Sequence, residues 1–184
     1  MGPDNIDEES LQKCRAYLKL LANSQVDSWL RQRVDASDLV QQTLLDAVAR
    51  KEQFRGSSRP ELLAWLRRIL ANNLVDVMRH HGRAKRDMAR NVSINDKIDE
   101  SFRRVDAIVS RSVSASQKAV LDEQLLRLPA ALDKLPEAQR RAIELHYLQG
   151  LKLFETAQKI GRSEAAVGGL LHRGLKRLNE LLGD

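Results

Sequence analysis

An all-α fold made of two small helical domains joined by a linker is predicted for this chain of 184 residues. Three observations predict it. Apolar residues make up 42% of the chain and recur at three- and four-residue intervals rather than alternating, the period of a helix and not of a strand. Glycine and proline are sparse, at nine and four, which disfavours the many turns of a sandwich or barrel. Residues 91–117, between two well-patterned regions, are Ser-rich and balance four basic with four acidic side chains. A chain of this length can bury one medium core or two modest ones. The linker selects two.

The first domain is read over residues 1–90. Its acidic start, Met1 to Ser10, lacks an apolar run and does not read as a signal peptide. Apolar residues then recur at helical spacing from Leu11 to Leu21. Cys14, the single cysteine, excludes an internal disulfide, which fits a reducing compartment, and its expected role is that of a small buried hydrophobe. The second helix is expected over about residues 36–52, with Val40, Leu44 and Val48 facing inward. Asp35 and Ser37 are both acceptable N-caps, and Asp38 in the first turn suits the positive end of the helix dipole. Asp38, Gln41, Gln42 and Leu45 then project outward: an acceptor, two amides and an apolar side chain.

Phe54-Arg55-Gly56-Ser57 breaks the pattern, and the third helix starts near Ser58. Ser58 and Glu61 have capping-box spacing, and Pro60 is harmless in a first turn. Leu62, Leu66, Ile69, Leu70, Leu74 and Val77 supply the inward stripe of this helix, the longest expected. Arg67, Arg68, Arg79, Arg83, Lys85 and Arg86 occupy its remaining surface and its end. Trp65 has its place in the stripe, which favours the core. His80 and His81 follow near the end of the helix.

In the linker, Ile94, Ile98, Phe102, Val105 and Val109 step at helical spacing, so an amphipathic helix resting on one domain is expected there. The second domain, residues 118–184, opens with Leu125, Leu128, Leu132 and Leu135 on one helix face. Pro136 starts the next helix, which carries Ile143 and Tyr147 inward and stops at Gly150. Two further helices follow, the last with Leu171, Leu175, Leu178 and Leu182 as its core stripe.

The spacing of this last pair is that of a helix-turn-helix. Ala157 permits close helix approach, Gly161 supplies the positive φ of a tight turn, Ser163 caps the next helix and Val167 points back into the core. The second helix of such a unit normally lies in the DNA major groove. Charge agrees in part. The formal net charge is +6, and residues 53–90 hold nine basic against three acidic side chains, whereas residues 118–184 hold eleven against nine. A polyanion would meet the former block first.

Other classes find little support. No segment approaches the roughly 18 consecutive apolar residues of a membrane span, so the chain is expected to be soluble and cytoplasmic. His146 and His172 lack partners at metal-ligand spacing, and no Gly-rich phosphate loop follows a strand. Neither a metal, a cofactor nor an enzymatic activity is expected.

The order Asp35-Ala36-Ser37-Asp38-Leu39-Val40-Gln41-Gln42-Thr43, then Phe54-Arg55-Gly56, then Ala64-Trp65-Leu66 with Asn72 and Asp76 beyond, resembles sigma region 2 of the extracytoplasmic-function group of bacterial sigma factors. Leu135-Pro136-Glu137, Gln139-Arg140, Tyr147-Leu148, Gly150, Ala157, Gly161, Ser163-Glu164, Val167 and Leu171-His172-Arg173 resemble sigma region 4 of the same group. The resemblance implies a three-helix region 2 domain and a four-helix region 4 domain. It implies that Asp35, Asp38, Gln41, Gln42 and Leu45 bind the clamp helices of core RNA polymerase. It also implies that the loop from Phe54 to Pro60 and the third helix open and read the minus-ten promoter element, through Arg55, Ser57, Asn72, Asp76, Arg79, Arg83, Lys85 and Arg86. Neutralised backbone and pockets for unstacked bases are what an opened strand requires.

The second domain would dock the upstream, minus-thirty-five element through Arg162, Ser163, Glu164, Gly168, Gly169, Arg173, Lys176 and Arg177. Here the chain departs from the family pattern. Ala166, Gly168 and Gly169 stand where the family often has side-chain donors, and Leu170 stands where Arg is frequent, an exposed residue and candidate partner surface on this reading. Few groups remain to read base edges, so phosphate contacts that position more than they specify are expected. Two mid-helix glycines also cost roughly 1 kcal/mol each relative to Ala, so close backbone approach to DNA is expected in compensation. The interval from Phe54 to Trp65 also exceeds the usual spacing. The sequence therefore predicts a sigma factor that binds polymerase and promoter DNA, with an anti-sigma factor as a further candidate partner. The alternatives are a helix-turn-helix regulator that does not join polymerase and a protein-binding adapter.

Overall fold

The structure, a computed structural model, describes residues 8–25, 34–80, 99–110 and 121–183. The chain divides between Glu100 and Ser101 into two compact units, and among the described residues all regular structure is helical. His81, Arg83, Lys85, Arg86, Ile94 and Ile98 lie outside the described residues.

In the first unit, α1 (Glu8–Gln25), α2 (Ala36–Ala49) and α3 (Arg59–His80) each pack against the other two. From α1, Leu11, Cys14, Leu18, Leu21 and Ala22 are buried together with Tyr17, which is wholly shielded from solvent. Burial pushes the Cys14 thiol up to about 11, and its Sγ donates to the Ser10 carbonyl at 3.3 Å. A thiol held neutral in this way is a packing group with little nucleophilic character at pH 7.

Helix α2 starts on Asp35, whose Oδ1 accepts from the Ser37 amide at 2.8 Å. Its buried face is Ala36, Leu39, Val40, Thr43, Leu44 and Ala47. Val48, expected to face inward, is 53% exposed. Each four-residue step overshoots a full helical turn by about 40°, so the series Val40, Leu44, Val48 drifts off the core face and Ala47 completes it. The helix ends at Ala49, and a 3₁₀ turn (Lys51–Gln53) carries the chain to buried Phe54.

Along α3, Leu62, Leu63, Leu66, Ile69, Leu70, Leu74 and Val75 are buried, while Val77 is half-buried. Trp65 is also half-buried, its ring centroid 5.2 Å from that of Phe54. Arg67 does not join the exposed basic surface. Four residues after Leu63 and three before Leu70, it sits at the margin of the core face, where Nε donates to the Tyr17 hydroxyl at 2.6 Å and the guanidinium lies 5.3 Å from the Tyr17 ring centroid. That contact ties α3 to α1.

The second unit begins at Ser101, within helix α4 (residues 99–110), followed by α5 (Leu121–Asp133), α6 (Glu137–Ile143), α7 (Leu153–Ile160) and α8 (Glu164–Gly183). Phe102, Val105, Ile108 and Val109 of α4 are buried, and Ser101 Oγ donates to the Leu148 carbonyl at 3.4 Å. A π-helical turn (Glu144–Leu148) continues α6. This wider turn buries Leu145 and Leu148 and leaves Tyr147 half-exposed, whereas regular helical spacing had pointed Tyr147 inward. Its ring meets that of His146 edge-on, centroids 4.8 Å apart.

Helices α6 and α8 pack tightly at Gly174. A Cβ there would stand 2.9 Å from Ile143 Cδ1 and 3.2 Å from Gln139 Cβ, so the absence of a side chain sets the helix separation. Leu178 and Leu182 continue the buried stripe; Leu175, expected within it, is half-buried because Gly174 takes the inward position. Gln124 of α5 is buried and donates to the Leu182 carbonyl at 3.1 Å, which pins the end of α8.

Candidate nucleic-acid and polymerase interfaces

The turn between α7 and α8 is built by a left-handed glycine and two local bonds. Gly161 adopts φ +70°, and the Arg162 amide reaches back to the Ala157 carbonyl at 3.1 Å, closing α7 in a Schellman motif. Ser163 Oγ then accepts from the Ala166 amide at 3.2 Å and caps α8. Val167 is wholly buried and Ala157 nearly so, which seats the two helices against each other. The helix-turn-helix geometry is present.

Helix α8 presents Glu164, Ala165, Ala166, His172, Arg173, Lys176 and Arg177 to solvent, as do Arg162 and Ser163 just before it. Leu170, expected to be exposed, is buried. It lies three residues after Val167 and four before Gly174, on the same inward stripe. It is therefore no partner surface. Gly168 and Gly169 are half-exposed; a Cβ on Gly168 would meet nothing within 4 Å, and one on Gly169 would come within 3.3 Å of Arg173 Nη1. The Arg173 guanidinium thus folds back over the space that Gly169 leaves. Phe154, exposed on α7, lines an open groove with Gln158, Arg162 and Glu164, a feature that no spacing argument had singled out.

In the first unit, the entry to α3 is organised by Glu61. Its Oε2 accepts from the Ser57 amide at 2.8 Å, the Ser58 amide at 3.0 Å and the Ser58 hydroxyl at 2.7 Å. Those bonds, the Ser57 amide foremost, hold the carboxyl below its ordinary range. Gly56 is sterically required, because a Cβ would stand 2.4 Å from Phe54 Cζ and 2.8 Å from Glu61 Cβ. Arg55, Ser57, Asn72 and Asp76 are all exposed. Nothing is described of the Arg79 side chain, and Arg83, Lys85 and Arg86 lie beyond the described residues.

The outward face of α2 carries Asp38, Gln41, Gln42 and Leu45, with Asp35 exposed at its start. Leu45 is 56% exposed, and Val48 extends its apolar surface by one turn.

Family models match both halves of the chain: sigma-70 region 2 over residues 6–84 and sigma-70 region 4 over residues 125–178. The chain is 31% identical over 146 residues to the ECF RNA polymerase sigma factor SigF of Caulobacter vibrioides, covering 79% of this chain and 70% of that one. The chain belongs to the ECF RNA polymerase sigma factors. It is also similar to SigD of Mycobacterium tuberculosis, at 27% identity across 97% of this chain and 78% of that one. BldN of Streptomyces coelicolor is 30% identical over 83% of this chain and 52% of its own length.

As a sigma factor, the protein directs promoter recognition and transcription initiation, and its family implies binding to core RNA polymerase and promoter DNA. Sigma factors are non-enzymatic initiation factors. Among the described residues no helix is long and apolar enough to cross a membrane, and no group of three His, Cys, Asp or Glu side chains could hold a metal ion.

Sequence reasoning missed one polar cluster of this sigma factor. Asn73 of α3 donates through Nδ2 to Asp46 Oδ2 at 2.9 Å and to Thr43 Oγ1 at 3.3 Å, and Asp46 Oδ1 accepts from Gln42 Nε2 at 2.9 Å. The sequence signal was available: Gln42 and Asp46 are four residues apart on one helix, a spacing that brings side chains together. Their link to Asn73 spans 27 residues and needed the fold.

Proposed function

We propose that the two units of this sigma factor divide initiation between them. The exposed face of α2, from Asp38 to Leu45 with Asp35 at its start, docks on core polymerase. The loop at Arg55 and Ser57 and the exposed Asn72 and Asp76 of α3, together with Arg79 and the basic residues Arg83, Lys85 and Arg86 that follow in sequence, capture the melted minus-ten strand. An amide can pair with a base edge, and the basic block neutralises the backbone. The second unit docks the upstream element through Arg162, Ser163, Glu164, Arg173, Lys176 and Arg177, with Gly168 and Gly169 allowing close approach. The protein acts in the cytoplasm without an active site of its own, and an anti-sigma factor is a candidate regulator.

The observation that carries this division is the unequal chemistry of the two surfaces. Exposed Asn72 and Asp76 stand on α3, while Ala165, Ala166, Gly168 and Gly169 leave α8 poor in base-reading groups. Melting therefore depends on the first unit more than on the second. Permanganate footprinting with reconstituted holoenzyme tests this: Asn72→Ala is expected to lose open complex more severely than Arg173→Ala. Equal open complex for Asn72→Ala and the parent would reject the assignment. Run-off transcription with core polymerase tests the larger reading, since a helix-turn-helix regulator that does not join polymerase would start no transcript.

A further inference from the structure

Asp46 and Asn73 belong to neither surface, yet they touch both helices that carry them. Asn73 is half-buried between α3 and α2, and both hydrogens of its amide have acceptors on α2, Asp46 Oδ2 at 2.9 Å and Thr43 Oγ1 at 3.3 Å. Thr43 is itself wholly buried and spends its own proton on the Leu39 carbonyl at 2.8 Å, so its oxygen meets Asn73 as an acceptor. The second oxygen of Asp46 holds Gln42 Nε2 at 2.9 Å. A carboxylate only accepts, so the amide of Gln42 must turn its nitrogen toward Asp46 and its carbonyl oxygen away. A long exposed side chain that would otherwise sample many rotamers is thereby biased toward one orientation.

We infer that Asp46 and Asn73 are positioning residues for polymerase docking: Asn73 fixes the Asp46 carboxylate, and Asp46 fixes Gln42 with its carbonyl presented outward as an acceptor. The same bonds fasten the docking helix to α3, one residue from Asn72. Preorganising one amide in this way lowers the ordering cost of the complex. The inference rests on the reading of α2 as the polymerase-facing helix.

A double-mutant cycle in the full-length protein tests it, with core polymerase affinity as the readout and thermal melting as the check on folding. Gln42→Ala and Asp46→Ala are each expected to weaken binding by roughly three- to tenfold, the range of one lost hydrogen bond. The double variant is expected to be no weaker than the worse single one, because Asp46 acts through Gln42. Asn73→Leu is expected to show the same dependence on Gln42. Additive losses would overturn the inference, since a merely structural Asp46 would weaken binding whether or not Gln42 is present. Leu45→Arg separates the two layers of the reading. If it abolishes binding while the cycle is additive, only the positioning role falls; if it leaves affinity unchanged, the docking face falls and the positioning role with it.

Discussion

Gly56 shows how one residue without a side chain can hold the loop before α3 in shape. It lies between Phe54, buried against Trp65, and Glu61, which gathers two amides and a hydroxyl at the start of α3. A methyl group at this position would stand 2.4 Å from the Phe54 ring, inside any tolerated contact. The ring cannot retreat without leaving Trp65, and Glu61 cannot retreat without releasing the helix cap. Gly56→Ala is therefore expected to destabilise the protein by about 1–3 kcal/mol, the usual cost of overpacking, and to reduce promoter opening. Chemical denaturation and permanganate reactivity measure the two effects. Unchanged stability would show that the loop is free to expand. Contact, and not the conformational freedom of glycine, is what requires Gly56.

At the scale of the element, α8 holds glycines of opposite meaning. Gly174 is in contact with α6, where a Cβ would meet Ile143 at 2.9 Å, whereas Gly168 faces open space. Gly168→Ala is expected to stabilise α8 by up to about 1 kcal/mol, the difference in helix propensity, while Gly174→Ala is expected to lower stability by about 1–3 kcal/mol. Melting of the two variants side by side decides the matter; a gain at Gly174 would contradict the packing described. If Gly168→Ala also weakens binding to upstream promoter DNA, the open space serves the ligand. The sequence made this helix, its Ser163 cap and the Gly161 turn legible, because those signals are local. It misplaced Val48 and Tyr147 because a step of four residues drifts from a period of 3.6 and a π turn shifts the phase again, and it misplaced Leu170 because the family position, where Arg is frequent, implied exposure. Asn73 with Asp46, and Arg67 with Tyr17, were illegible because each pair joins residues from different helices.

For the whole molecule, the question is which unit owns α4. Composition placed a linker over residues 91–117, since Ser-rich, charge-balanced segments commonly connect domains. Yet the chain divides between Glu100 and Ser101, and Phe102, Val105, Ile108 and Val109 are almost wholly shielded. Ser101 reaches the carbonyl of Leu148, and the Arg104 guanidinium would lie 2.9 Å from a Cβ on Gly150, so α4 rests on the π-helical end of α6. The Leu148 carbonyl at the end of that turn thus finds its donor on α4. A fragment of residues 99–184 is accordingly expected to melt higher than one of residues 118–184. Losing four buried apolar side chains at about 1.5–3 kcal/mol each for full burial leaves little of the 5–15 kcal/mol typical of a folded domain. Circular dichroism on heating both fragments reads the difference, and the shorter one is expected to lack a cooperative transition. Equal midpoints would return α4 to the role of a connector and leave the helix-turn-helix to stand on α5 to α8 alone.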